Sequence, residues 1–597
     1  MVAGVRVGFG CLGRITLPQF NISGWALGWS RIESDAFFGS GFPGSGLRYI
    51  ESTRCNRGGV ASGSQMQDWP WRDGRSRRSG YLVRSTQFSG GTMEKIASGK
   101  LIPWIMSVLV LVLLTPLHSG ASPLSFELTY AKKAWGGPFT GRVYVMLSSG
   151  NPRGLLSGPD WFNPEPFFAL DVVGWKPGEK LVLNSAALAF PLAMKDVREG
   201  EYIVQAVLDR NLGGRSFATS PGNVFGIAAP KKLSGAEGGL VSVTLDQVYQ
   251  ERPAPQVSGV QNFRLKSQLL SDFSKRDVFL RAGVVLPASH NQSPERTYPV
   301  VYEIPGFGGN HLMAAGRVGA PFTRLGETEA AWVVLDPDCP NGHHVFADSQ
   351  NNGPFGQALV EELIPALEKQ FRVGGSRGSR LVTGHSSGGW SSLWLQVRYP
   401  DIFGGVWSTA PDPVDFHDFQ RIDLLSPKAN LFFDSAGKIR ELSRNRRGKA
   451  LTFRDFSKME DVMGRGGQLG SFEAVFSTRG VDGKPVQMWD RTTGQVELKT
   501  AQSWQHYNIA KILDDRWKEL GPKLNGRLHV FCGTEDTFYL DGAAILLRDT
   551  LQKNKAKAVV EMIPGADHGS FMTRGFREKM SLRMEQVLRA NRAGAVP

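Results

Sequence analysis

The side chains best equipped for chemistry in this sequence are Ser386, Asp536 and His568. Ser386 lies at the centre of Gly384-His385-Ser386-Ser387-Gly388, a G-x-S-x-G run. The apolar pair Leu381 and Val382 before it reads as a short buried strand, and residues 390–397 after it read as a helix. A strand-to-helix turn this sharp strains the serine backbone and lifts its hydroxyl above the sheet edge. The flanking positions are glycine because a Cβ at either would clash across the turn. The plain alternative is a tight turn with no chemistry.

A serine hydroxyl is a poor nucleophile until a base takes its proton. In a strand-elbow-helix arrangement the partners follow in the order Ser, acid, His. Residues 527–533 read as a buried strand, followed by Thr534, Glu535 and Asp536. Either carboxylate could orient an imidazole. Asp536 is preferred, because the first turn after the strand would carry it toward the serine. Residues 559–563 read as the final strand, and His568 follows in the Gly-bracketed loop 564–569, where the base belongs. The chain has ten histidines, so position must decide among them. His343 and His344 precede the serine and read as pocket-lining or exposed. His385 reads as packing under the turn.

Acyl chemistry also needs two backbone N–H groups aimed at the developing oxyanion. One is expected from Ser387, the residue after the nucleophile. The other is expected from the loop after the third strand. Residues 298–304 read as that strand and Pro305-Gly306-Phe307-Gly308-Gly309 as the loop, with Phe307 or Gly308 as donor.

The elements that must position these residues form an α/β pattern from about residue 257 onward. A strand at 278–286, the third strand, a strand at 332–335 and a helix over 358–371 precede the elbow. Leu359, Leu363 and Leu367 repeat every four residues in that helix, and Pro365 should kink it. Strands alternating with helices predict a doubly wound, mostly parallel sheet. An insertion at 411–525, rich in aromatics (Phe416, Phe419, Trp489, Trp504, Tyr507), sits where insertions cover active sites. Its basic run from Arg440 to Lys449 reads as solvated surface. Residues 122–250 differ: short alternating runs punctuated by Gly, Pro and Asn predict a small all-β sandwich. Trp135, Trp161, Phe162 and Trp175 could line a sugar-binding face there, although core packing is the commoner use of such residues. Residues 251–256 read as a linker between the sandwich and a catalytic domain at 257–597.

The 597-residue chain carries a net charge of +14. Residues 1–92 hold eleven arginines and no lysine against five acids, and the later charges are interspersed. No basic stripe with interleaved aromatics is present, so nucleic acid is not an expected partner. Cys339 follows the strand at 331–335 and Cys532 ends a much later one; such strands are set well apart in this kind of sheet, so free thiols are expected. No zinc-type spacing appears, and neither metal nor cofactor is expected. Residues 93–121 comprise a short positive segment, an apolar Leu/Val-rich core and small residues, which is a secretory signal pattern. Cleavage is favoured over a retained membrane anchor because Pro103 and Pro116 bracket a marginal span. Residues 1–92 then read as an untranslated or disordered extension ahead of Met93, and the mature protein as secreted or periplasmic.

Several runs resemble the esterase family of α/β-hydrolases that includes esterase D-like and enterochelin esterase-like enzymes. They are Gly384 to Trp390 with Arg398 to Gly404, Gly353 to Gly356 with Glu361 to Glu368, Gly533 to Asp536, and Asp567 to Gly569. The resemblance covers roughly residues 260–590. It implies serine ester hydrolysis without a cofactor, on a small-molecule or carbohydrate-linked ester. Ser387 departs from the family pattern, which often has Met there, but its N–H is unaffected. An acyltransferase using the same three residues, or an inert hydrolase-fold polysaccharide-binding protein, are the competing expectations.

Overall fold

The computed structural model describes residues 122–150, 156–251, 253–444 and 451–594. The predicted extension and signal segment, with Cys11 and Cys55, lie outside the described residues. No helix among the described residues is long and apolar enough to cross a membrane.

The first layer pair is all β. Strands β1 (Ser125–Tyr130), β4 (Leu181–Leu183) and β8 (Leu240–Leu245) form one sheet, ordered β4-β1-β8. The second sheet is ordered β5-β3-β2-β6-β7-β9 and uses β2 (Phe139–Ser148), β3 (Phe167–Trp175), β5 (Leu188–Phe190), β6 (Gly200–Leu208), β7 (Val224–Leu233) and β9 (Gln247–Val248). Alternation does the work: in β1, Phe126, Leu128 and Tyr130 point inward while their neighbours are partly exposed. They meet Val143, Val145, Phe168 and Val204 in a core shared by both sheets, which makes this a β-sandwich.

The second part is a doubly wound α/β unit. Its eight strands are β10 (Gln261–Ser267), β11 (Val278–Val285), β12 (Val300–Ile304), β13 (Ala331–Leu335), β14 (Arg380–His385), β15 (Gly405–Thr409), β16 (Leu528–Gly533) and β17 (Val559–Ile563). Their order is β10-β11-β13-β12-β14-β15-β16-β17. The pairs from β13 across to β17 are parallel; β10-β11 and β11-β13 are antiparallel. Helices cover both faces of the central strands, so those strands read as continuous apolar runs; all of Ala331–Leu335 is buried.

The helix before the elbow runs from α1 (Phe355–Ala358) through a π-helical turn (Leu359–Leu363) into α2 (Ile364–Phe371). Pro365 has no N–H to give, and the wide turn before it absorbs the missing bond where a kink was expected. Helix α3 (Ser387–Arg398) follows β14 directly, and nearly all of it is buried. Between β15 and β16, α4 (Phe453–Met463) and α5 (Gln468–Phe476) pack into the same core. The five aromatics predicted in this stretch are all buried. Phe476 contacts Trp390 of α3 at 5.1 Å and Trp504 at 5.2 Å between ring centres. They extend the core under the elbow, and each such pair adds about 0.5–1.5 kcal/mol beyond area burial.

Arg440 and Arg444 correct the solvated-surface reading of the basic run, whose residues 445–449 lie outside the described residues. Arg440 donates Nε–H to the Phe433 carbonyl at 3.0 Å, and Arg444 is a partly buried brace discussed below. Of the four sandwich aromatics, Trp175 is buried against Tyr130 at 4.7 Å, and Arg210 stacks 3.8 Å over Trp135. Cys339 and Cys532 are both buried free thiols.

Candidate active site

Ser386 stands between the end of β14 and the start of α3 with φ 60° and ψ −124°, a conformation non-glycine residues avoid. Three backbone bonds impose it. Its N–H donates to Thr409 O at 3.0 Å, and its carbonyl accepts from Trp390 N at 3.0 Å and Asp412 N at 3.2 Å. The flanking glycines are required by space: a Cβ on Gly384 would lie 2.1 Å from Gly388 O, and one on Gly388 would lie 1.9 Å from Ile304 O.

Asp536 follows β16 and is fully buried. Its Oδ2 accepts from His568 Nδ1 at 2.8 Å, while Oδ1 accepts the N–H groups of Phe538 at 2.8 Å and Leu540 at 3.4 Å. Burial would raise its pKa, but the His568 charge and these hydrogen bonds outweigh burial and hold the carboxyl below its ordinary value. Glu535 is exposed and turns to Arg444, 3.5 Å away. Between the two carboxylates left open by the sequence, only Asp536 reaches the imidazole.

His568 comes from the loop after β17. Phe538 meets its ring edge-on at 5.0 Å, and the ring of His385, the residue before Ser386, lies 4.7 Å away between centres. The imidazole therefore lies beside the ring of the residue that precedes Ser386. His385 is partly buried and donates Nδ1–H to Thr409 Oγ1 at 3.1 Å, since that hydroxyl donates in turn to Gly384 O at 2.9 Å. Burial first, then the neighbouring His568, pushes its pKa down to about 3, so it stays neutral.

The loop after β12 is a tight turn closed by Gly309 N donating to Gly306 O at 3.0 Å. Gly308, at φ +87°, takes the third position, where a type II turn needs a left-handed residue. The turn touches the elbow: a Cβ on Gly306 would lie 3.2 Å from Ser386 Cβ. No hydrogen bond among the described residues engages the N–H of Phe307 or Gly308.

Two contributors were missed. His343 is buried, not exposed as the sequence allowed, and so is His344. Val345 N–H donates to His343 Nδ1 at 3.0 Å, which leaves Nε2–H to donate to Pro305 O at 2.9 Å. A neutral histidine thus pins the start of the turn. Burial pulls its pKa down to about 4. The second is Asp412, just past β15, whose Oδ2 accepts from Ser387 Oγ at 2.5 Å. Burial pushes its carboxyl up to about 6, against the Ser387 bond and the nearby imidazole of His568. The His343-His344 pair was visible in sequence; a lone aspartate after a strand carries no comparable signal.

The structure thus brings together a hydroxyl on a strained elbow, a carboxylate-imidazole pair whose carboxylate is buried, and a glycine turn against the elbow. The chain belongs to the esterase family described as "Putative esterase", whose model matches residues 279–579, about half of the chain. An endo-1,4-beta-xylanase/feruloyl esterase of Xylanibacter ruminicola is 26% identical over 132 residues, covering 21% of this chain and 18% of that protein. The chain therefore spans less than a fifth of the length of this curated relative. Among solved structures, a ferulic acid esterase is similar with a TM-score of 0.36 and 16% identity, covering 55% of this chain and 98% of that one. An S-formylglutathione hydrolase from Agrobacterium tumefaciens gives a TM-score of 0.32 and 15% identity, covering 56% and 98%.

Proposed function

We propose that this protein is an exported serine carboxylesterase acting through Ser386, His568 and Asp536. The observation that carries the reading is the 2.8 Å bond from His568 Nδ1 to buried Asp536, beside a serine held at φ 60°. With Nδ1–H committed to Asp536, the Nε2 of His568 is the basic nitrogen. It takes the Ser386 proton as Oγ attacks the ester carbonyl, and passes it to the departing alcohol. Asp536 fixes that tautomer and stabilises the imidazolium. The N–H groups of Ser387 and of Phe307 or Gly308 hold the oxyanion. Water then attacks the acyl-enzyme, with His568 again as base.

The substrate we propose is a small-molecule or carbohydrate-linked ester; the curated relative is described as an endo-1,4-beta-xylanase/feruloyl esterase. Export rests on the signal pattern at residues 93–121. Turnover of acetylated, feruloylated and catechol-type esters by wild type and Ser386→Ala tests the reading. Hydrolysis of at least one class, abolished in the variant, is expected. Equal turnover by the variant would overturn it.

A further inference from the structure

The sandwich does not merely precede the hydrolase; it is fastened to the insertion beside the candidate site. Arg465, between α4 and α5, forks onto Asp209 at 2.6 and 2.7 Å. Its remaining N–H group donates to Gly214 O at 2.6 Å, Arg215 O at 3.2 Å and Pro340 O at 3.0 Å. From β2, Arg142 Nη1 donates to Asp461 O at 2.6 Å and Tyr144 Oη to Met463 O at 2.6 Å, so two sandwich side chains cap the C-terminal end of α4. Buried charge-assisted bonds of this kind are costly to break and hold a fixed geometry.

Two residues from sandwich loops reach past this seam to the glycine turn. The indole of Trp161, in the β2-β3 loop, lies 5.6 Å from the Phe307 ring at 36°. It also meets Phe456 of α4 edge-on at 4.9 Å. The guanidinium of Arg215, in the β6-β7 loop, stands 4.9 Å over the Phe307 ring and bonds Asp338 Oδ1 at 3.2 Å. Each is itself held. Asp160 Oδ1 accepts the N–H groups of Phe162 at 2.9 Å and Asn163 at 2.7 Å, framing Trp161 in an Asx turn. Arg465 fixes the Arg215 carbonyl. Phe307 is thus gripped through its side chain from the sandwich, while His343 fixes the preceding carbonyl from the hydrolase. The turn's own glycines give it no rigidity.

We infer that Trp161 and Arg215 of the β-sandwich are positioning residues of the esterase site, clamping Phe307 so that the turn's N–H groups face the oxyanion. The inference rests on the serine esterase reading above. A clamp acting on the transition state lowers kcat when lost, whereas a substrate wall would raise KM. A donor displaced by about an ångström loses on the order of tenfold to a hundredfold in rate.

The test is steady-state kinetics and inhibition by an alkyl boronic acid, a tetrahedral oxyanion mimic, on the full chain. Trp161→Ala and Arg215→Ala should lower kcat by about tenfold or more. KM should move less than about threefold, and boronate affinity should fall in parallel with kcat/KM. Trp161→Phe, which keeps a ring against Phe307, should recover most of the loss. Val173→Ser, at an 89% exposed sandwich position, should match wild type and controls for damage to the sandwich itself. Unchanged kcat and boronate affinity in both alanine variants would overturn the inference and leave the esterase reading intact. So would a rise in KM alone, or Trp161→Phe failing as badly as Trp161→Ala. A wild type that neither hydrolyses esters nor reacts with a fluorophosphonate would sink the esterase reading and the clamp with it.

Discussion

Arg444 donates Nε–H to the backbone carbonyl of Asp536 at 2.8 Å, so a residue of the insertion braces the loop that carries the buried carboxylate. Its backbone N–H also donates to Thr537 O at 2.7 Å, and its guanidinium draws Glu535 outward. One arginine therefore turns two adjacent acids in different directions. Asp536→Asn should lower kcat by about a thousandfold or more, because an amide misassigns the His568 tautomer. Glu535→Gln should stay within a few-fold of wild type. Comparable losses in both variants, measured on one activated ester, would contradict the assignment.

The elbow leaves no room for a methyl group. Gly388→Ala would drive Cβ against Ile304 O of β12, and backbone cannot move aside as a side chain can. The variant should lose about 3 kcal/mol or more of stability, or fail to fold. Thermal unfolding checks this; a Tm equal to wild type would mean the β14-α3 junction is drawn wrongly.

His343 supplies a pH dependence. Its pKa is about 4 in the folded protein against an ordinary 6.5. The folded state thus binds fewer protons than the unfolded chain between these values. The stability that neutral His343 represents is complete above about pH 6.5 and is lost as pH falls toward 4, up to about 3 kcal/mol. His343→Gln, which can still donate to Pro305 O, should lose less stability than wild type over that window. Denaturant unfolding at pH 6.5 and 4.5 measures the difference, and parallel losses would refute the role.

The Ser387-Asp412 bond is buried on both sides. Removing Asp412 leaves the buried Ser387 hydroxyl without this acceptor, at a cost of about 1–3 kcal/mol, while removing the hydroxyl leaves the carboxyl its bond from Gln468. Ser387→Ala, Asp412→Ala and the double variant form a cycle that should show coupling of about 1 kcal/mol or more. Additive effects would mean the two groups do not depend on each other.

The candidate site residues were legible because each sits in a short local pattern. The elbow is five consecutive residues, and Asp536 and His568 each follow an apolar strand closely. The alternation of strands and helices was legible too, but the strand at Gln261–Ser267 and the order of the eight strands were not. What was not legible is held by distance in sequence: Trp161 meets Phe307 nearly 150 positions away, and Arg465 meets Asp209 across 256. Composition placed Arg444 in a basic surface run, since nothing in a single sequence reveals which arginine is turned inward. Pro365 was read as a kink because periodicity does not encode a π turn. His343 and His344 were read as exposed or pocket-lining because hydropathy treats histidine as polar, whereas a neutral imidazole with both nitrogens bonded buries readily.

Ser386 is the proposed nucleophile, made reactive by His568 and Asp536. The most direct measurement is reaction of the full chain with a fluorophosphonate, followed by mass spectrometry of the proteolytic peptides. The account requires one adduct, on Ser386, absent from Ser386→Ala and formed far more slowly in His568→Ala. An adduct on another residue, or labelling of the Ser386→Ala variant at the wild-type rate, would contradict it.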